Sequence, residues 1–77
     1  MREIEYATSA WGMGDLLMKN GVSLKEDFTE RERKRLRKKL EKYMIRADGK
    51  KLHINLKKFI LIIQGEDEAS YLYQYLL

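Results

Sequence analysis

The chain has 77 residues, no Cys, no Pro and a formal net charge of +4. A chain this short buries one modest core, so residues 1–77 read as a single domain. Disulfides and Cys-based zinc fingers are excluded, and the longest apolar run, Phe59 to Ile63, is far below the roughly 18–20 residues of a membrane span. Met1-Arg2-Glu3-Ile4-Glu5 lacks the apolar core of a signal peptide, so a cytoplasmic protein is expected.

The net charge conceals an asymmetry. Residues 31–58 hold 13 Lys/Arg against 3 Asp/Glu, a net of +10, while the rest of the chain holds 3 against 9, a net of −6. A basic block of this density is the electrostatic footprint expected of a nucleic-acid partner. Disorder is disfavoured, because Leu36, Leu40, Tyr43, Met44, Ile45, Leu52, Ile54 and Leu56 interleave the charges.

In chain order, Arg2 to Ala7 alternates, with Ile4 and Tyr6 on one side and Glu3 and Glu5 on the other; this predicts a short strand or extended arm. Thr8 or Ser9 is placed to cap a helix that ends near Asn20, with Gly21 as its stop. Gly12 and Gly14 weaken the first turn and favour a start near Met13. Two capping boxes follow, Ser23-Leu24-Lys25-Glu26 and Thr29-Glu30-Arg31-Glu32. They predict a helical turn over 24–28 and a new helix from Glu30 to about Met44, with one continuous helix over 24–44 as the alternative.

On a wheel of about 100° per residue, Leu36, Leu40, Tyr43 and Met44 form a narrow apolar stripe. Arg31, Lys34, Arg35, Lys38 and Lys42 occupy an arc of about 100° directly opposite, with Arg33, Arg37 and Lys39 on the flanks. Arg31–Arg35, Lys34–Lys38 and Lys38–Lys42 are like-charge pairs at i,i+4, each costing a few tenths of a kcal/mol in isolation. A purely structural surface would gain by alternating signs, so the uncompensated cations point to an anionic partner.

Asp48-Gly49 between the strand-like runs of Ile45 to Ile54 is a hairpin signal, because a type I′ turn needs positive φ at both central residues. Such a hairpin would carry Arg46, Lys50 and Lys51 near its tip. A basic hairpin after a basic helix is the arrangement of a winged helix. The next segment is ambiguous. Leu56, Phe59, Ile60 and Ile63 recur at helical spacing, with Asn55 as cap and Gly65 as stop, yet the continuous run Phe59-Ile60-Leu61-Ile62-Ile63 suits a buried strand. A central strand here paired with residues 2–7 would describe an α+β sandwich instead of a winged helix. Glu66, Asp67 and Glu68 complement the positive end of a last helix, whose apolar face is Ala69, Leu72, Tyr73 and Leu76. This Tyr/Leu tail is apolar nearly all round, which requires burial by the domain or by a second subunit; Leu72, Tyr73 and Leu76 are the candidate residues of a homodimer contact.

The helix Arg35-Leu36-Arg37-Lys38-Lys39-Leu40, the stretch Met44 to Ile54 around Asp48-Gly49, and Asn55-Leu56-Lys57-Lys58-Phe59-Ile60-Leu61-Ile62-Ile63 together resemble the small excisionase-type winged-helix family, relatives of the MerR-type DNA-binding domains. The resemblance covers residues 31–64. It implies a mostly helical α+β fold: a winged helix-turn-helix with a two-stranded wing, a helix over 56–63 and an added C-terminal helix. It also implies double-stranded DNA as partner, without catalysis, in transcription regulation or recombination on phage or mobile-element DNA.

Catalytic chemistry is not expected. Gly12-Met13-Gly14-Asp15 lacks the Lys-Ser/Thr of a phosphate loop, and the one histidine, His53, has no partners at metal-ligand spacing. No cofactor is called for, and Trp11 reads as core. The expected nucleic-acid contacts are Arg31, Lys34, Arg35, Lys38, Lys42, Arg46, Lys50 and Lys51. Two other readings accommodate the same charges. One is a protein-interaction module, such as a phage-encoded inhibitor docking on an acidic host enzyme. The other is a small RNA-binding module, since the order strand–helix–helix–strand–strand–helix resembles the KH fold, although the Gly-x-x-Gly clamp is absent.

Overall fold

The computed structural model describes residues 1–7, 9–46 and 48–77. In chain order the elements are β1 (Glu3–Glu5), α1 (Met13–Lys19), α2 (Glu30–Arg46), β2 (Lys51–Asn55), β3 (Ile60–Gln64) and α3 (Glu66–Tyr75). The three strands form one sheet in the order β1-β3-β2, with β1 parallel and β2 antiparallel to the central β3. The fold is therefore α+β, and helices cover less than half of the chain.

Side-chain alternation gives the sheet two faces. Leu61, Ile63 and Ile54 point inward and are fully buried, while Glu3, Glu5, Lys51, His53 and Gln64 line the open face. The α3 helix packs on β3 and touches both α1 and α2. Leu40 of α2, Phe59, and Ala69, Leu72 and Leu76 from α3 and its end complete the fully buried core.

The segment after Asn55 is a strand, so the helix implied over 56–63 is overturned. The buried positions are Ile54 and Leu56, then Phe59, Leu61 and Ile63. This is a period of two on each side of a two-residue turn, and the spacing of 56, 59, 60 and 63 only imitates a helical stripe. The turn is Lys57-Lys58, closed by the Leu56 N–H on the Phe59 carbonyl at 2.9 Å. Lys57, at the first central position, has φ 75°. The Asn55 side chain supports the turn by accepting the Lys57 N–H at 2.9 Å.

The hairpin predicted around Asp48-Gly49 is also displaced. Met44, Ile45 and Arg46 continue α2, so no first wing strand exists there; Ala47 lies outside the described residues. Gly49 has φ 74°, and the Asp48 carboxylate accepts the Lys50 N–H at 3.1 Å. The dipeptide lies in the link between α2 and β2. The real hairpin is β2–β3, and the central strand beside residues 3–5 is the sandwich arrangement that the sequence left open.

Other boundaries follow local chemistry. The Thr29–Glu32 capping box is reciprocal: Glu32 N–H donates to Thr29 Oγ1 at 3.1 Å, and Thr29 N–H to Glu32 Oε1 at 2.8 Å. It starts α2 at Glu30 and removes the single-helix alternative. At the other box Ser23 Oγ accepts the Glu26 N–H at 3.3 Å, but Asp27 supplies the return carboxylate to Ser23 N–H at 2.8 Å. The α1 helix ends in a Schellman pair, Val22 N–H to the Leu17 carbonyl and Gly21 N–H to the Met18 carbonyl, with Gly21 at φ 71°. It starts after Gly12; of the two expected caps, Thr8 lies outside the described residues and Ser9 precedes the helix.

Two burial expectations change. Leu72 and Leu76 are fully buried by the chain itself, and half-buried Tyr73 reaches Glu41 at 3.3 Å, so burial of this tail does not require a second subunit. Trp11 is 38% exposed beside α1, with the Lys19 ammonium 4.1 Å from its ring centroid, and does not join the core.

Candidate nucleic-acid interface

The candidate surface is built on α2. Its inward edge is Leu40, flanked by half-buried Leu36, Tyr43 and Met44. Tyr43 fixes the C-terminal end of the helix: its hydroxyl accepts the Gly65 N–H at 2.9 Å and donates to the Lys50 carbonyl. The orientation of α2 is thus set from both the core and the start of α3, which leaves the opposite arc facing solvent.

The structure sorts the basic residues into two groups. One group is absorbed in holding the fold. Arg33 donates to the carbonyls of Phe28 at 2.8 Å and Lys25 at 3.2 Å and pairs with Glu30 at 2.6 Å. Arg37 donates to the Leu76 carbonyl at 2.6 Å and pairs with Glu30 at 3.1 Å. Lys39 donates to the His53 carbonyl of β2 at 3.3 Å, which occupies part of an otherwise open sheet edge. Lys57 reaches the Asp27 carbonyl and Glu32, with its ammonium 4.4 Å from the Phe28 ring centroid, and Lys58 reaches the Gly21 carbonyl.

The other group is the outer arc. Arg31, Lys34, Arg35, Lys38 and Lys42 are all exposed, and among the described residues none forms a side-chain hydrogen bond or ion pair. Arg46 continues this surface on the last turn of the helix. Lys50 is exposed in the link to β2, tied to Tyr43 and Asp48 through its main chain. Lys51 belongs elsewhere: on the open face of the sheet it pairs with Glu5 at 2.7 Å. Of the eight expected contact residues, five form the strip, Arg46 extends its C-terminal end, Lys50 lies in the link that follows, and Lys51 is drawn away.

Two of the three acidic residues of α2, Glu30 and Glu32, are similarly engaged. The Arg33 and Arg37 guanidiniums hold the Glu30 carboxyl below its ordinary value, and the Thr29 N–H and the Lys57 ammonium do the same for Glu32. Both therefore stay ionised at neutral pH and compensate cations that belong to the fold, not those of the strip.

Sequence reasoning missed Ile45, which was assigned to a wing strand. It stands on the exposed arc of α2 at 83% exposure, between Lys34 and Lys38 on the wheel. Extending the helical wheel by one turn would have found it.

Comparison with protein-family models, with curated proteins and with solved structures gives no match to this chain. Fold and site together define a small α+β domain with one cationic helix face. No helix is long and apolar enough to cross a membrane.

Proposed function

We propose that this is a non-enzymatic nucleic-acid-binding domain that docks through the outer face of α2, with duplex DNA as partner. The observation that carries the reading is the sorting of cations. Arg33, Arg37, Lys39, Lys57 and Lys58 each satisfy a carbonyl or carboxylate of the fold, whereas Arg31, Lys34, Arg35, Lys38 and Lys42 form one uncompensated strip. Several long cationic side chains on one rigid helix suit a polyanion, because each phosphate neutralised releases condensed counterions. The absence of catalysis rests on the sequence: there is no cysteine and a single histidine, exposed on the open face of the sheet.

The winged-helix form of this reading needs a hairpin beside the basic helix that reaches the nucleic-acid backbone. Here the tip of the hairpin is Lys57-Lys58, and both ammonium groups are directed to the α1–α2 loop. The proposal therefore rests on α2, with Arg46 and Lys50 at its end.

The test is fluorescence anisotropy with a random-sequence duplex at low salt. Wild-type protein should bind, and a Lys34→Ala/Lys38→Ala/Lys42→Ala variant should lose at least about tenfold in affinity with its circular dichroism unchanged. A folded wild-type sample that leaves the duplex free overturns the reading.

A further inference from the structure

Resting on that reading, we infer that α2 lies along a single row of phosphates, outside the grooves, and holds nucleic acid without reading its bases. The argument is the placement of charge around the helix. An α-helix with its side chains is about 10–12 Å across and the major groove of B-DNA is about 12 Å wide. A helix seated in that groove therefore turns its front to base edges and both flanks to phosphate walls. Groove binding calls for readers in front and cations on the flanks.

The α2 helix has the inverse arrangement. Its front is the cationic strip. On one flank, Glu41 and Glu30 lie about 70° and 90° from the midline of the strip, and both are exposed. On the other, Arg46 lies about 70° away at the last turn alone, Lys39 is drawn to the His53 carbonyl, and Glu32 follows it on the wheel. Seating α2 in a groove would press Glu41, which no cation pairs with among the described residues, against one phosphate wall, beside Glu30 whose charge Arg33 and Arg37 balance. A single phosphate row laid along the front meets Arg31, Lys34, Arg35, Lys38 and Lys42 and leaves both flanks in water.

Composition and spacing agree. The strip has Arg31 and Arg35, which suit guanine as well as phosphate, but it carries no Asn or Gln to pair with adenine, and Ile45, within the arc, offers no hydrogen bond to a base edge. From Arg31 to Lys42 the strip runs about 16 Å at 1.5 Å rise per residue, with a cation every 4.5–6 Å or so. That length serves about four phosphates of one strand. The ligand class is a phosphodiester row, from duplex or single-stranded nucleic acid.

The experiment compares equal-length duplexes of contrasting sequence, single-stranded DNA, and inorganic polyphosphate as a phosphate row without bases, at several salt concentrations. Duplex affinities should agree within about threefold, far inside the gap that separates specific from non-specific sites. Polyphosphate should compete with them. The log–log salt slope on duplex should be about −4, and Lys38→Ala should reduce it by about 1 on every sequence alike. A preference above about tenfold for one duplex that Arg35→Ala abolishes would establish base readout and overturn this inference, with the nucleic-acid reading intact. Failure to bind any duplex or single strand overturns that reading, and this inference with it.

Discussion

Arg37 donates a hydrogen bond to the carbonyl oxygen of Leu76 at 2.6 Å, joining the middle of α2 to the end of α3 across 39 residues of chain. Its neighbour Lys38 is exposed and bonds to nothing among the described residues. Two adjacent cations of one helix thus have separate tasks. The guanidinium satisfies a carbonyl that the last turn of α3 leaves open, where positive charge is favoured.

This contrast gives a paired prediction. Arg37→Ala removes a partly buried, charge-assisted bond and should lower stability by about 1–3 kcal/mol in chemical denaturation, with nucleic-acid affinity little changed. Lys38→Ala should leave stability within about 0.5 kcal/mol and weaken binding. Equal effects of the two variants on stability and binding would dissolve the division of the cations.

A pH prediction follows from Glu32. Its folded carboxyl titrates below the ordinary 4.5, because it accepts the Thr29 N–H and faces the Lys57 ammonium. For a depressed acid, the stabilisation is complete above the unfolded value and is lost as pH falls through the folded one. Glu32→Gln keeps an acceptor for the capping box and removes the charge. The difference in Tm between wild type and Glu32→Gln should be constant from neutral pH to about pH 5 and shrink steadily below it. A difference that persists unchanged at pH 3 contradicts the assignment.

What the sequence discloses follows from which interactions are local. The start of α2 was legible because Thr29 and Glu32 carry the whole signal within four residues, and its cationic arc because a helical wheel needs only the helix. The separation of the strip from Arg33, Arg37 and Lys39 was half visible: the wheel placed these three on the flanks, and the flanks are where their partners lie. The partners themselves, the Leu76 and His53 carbonyls, come from distant chain and leave no trace near residues 37 or 39. The β2–β3 hairpin escaped because its turn is made by Lys57-Lys58, whereas Asp48-Gly49, the stronger turn signal, lies in the link after α2 with no strand before it. Leu72 and Leu76 were recognised as needing burial, but only the tertiary fold says that the same chain supplies it.

Lys57 makes the hairpin testable. A lysine at φ 75° bears a backbone cost that glycine escapes, about 1 kcal/mol. Its ammonium offsets this by reaching Asp27, Glu32 and Phe28. Lys57→Ala keeps the cost and loses the contacts, so it should destabilise by about 1 kcal/mol. Lys57→Gly loses the contacts but also the cost, so it should remain near wild type. Urea denaturation separates the two, and equal midpoints for Ala and Gly would show that the left-handed backbone carries no strain.

Gly14 and Tyr75 provide the last test, at the contact of α1 with the end of α3. A Cβ at Gly14 would stand 2.6 Å from the Tyr75 hydroxyl oxygen and 3.1 Å from Cζ, so the ring of Tyr75, 48% exposed, must move aside. Alanine inside a helix is otherwise favoured over glycine by about 0.5–1 kcal/mol. Gly14→Ala alone should therefore gain little, because displacement of the ring offsets the propensity. With Tyr75→Ala as background the obstacle is gone, and Gly14→Ala should stabilise by about 1 kcal/mol. The double-mutant cycle isolates the coupling between the two positions, since the close approach arises only when Gly14→Ala is combined with an intact Tyr75. Additive effects would show that Tyr75 does not sit against Gly14 in solution.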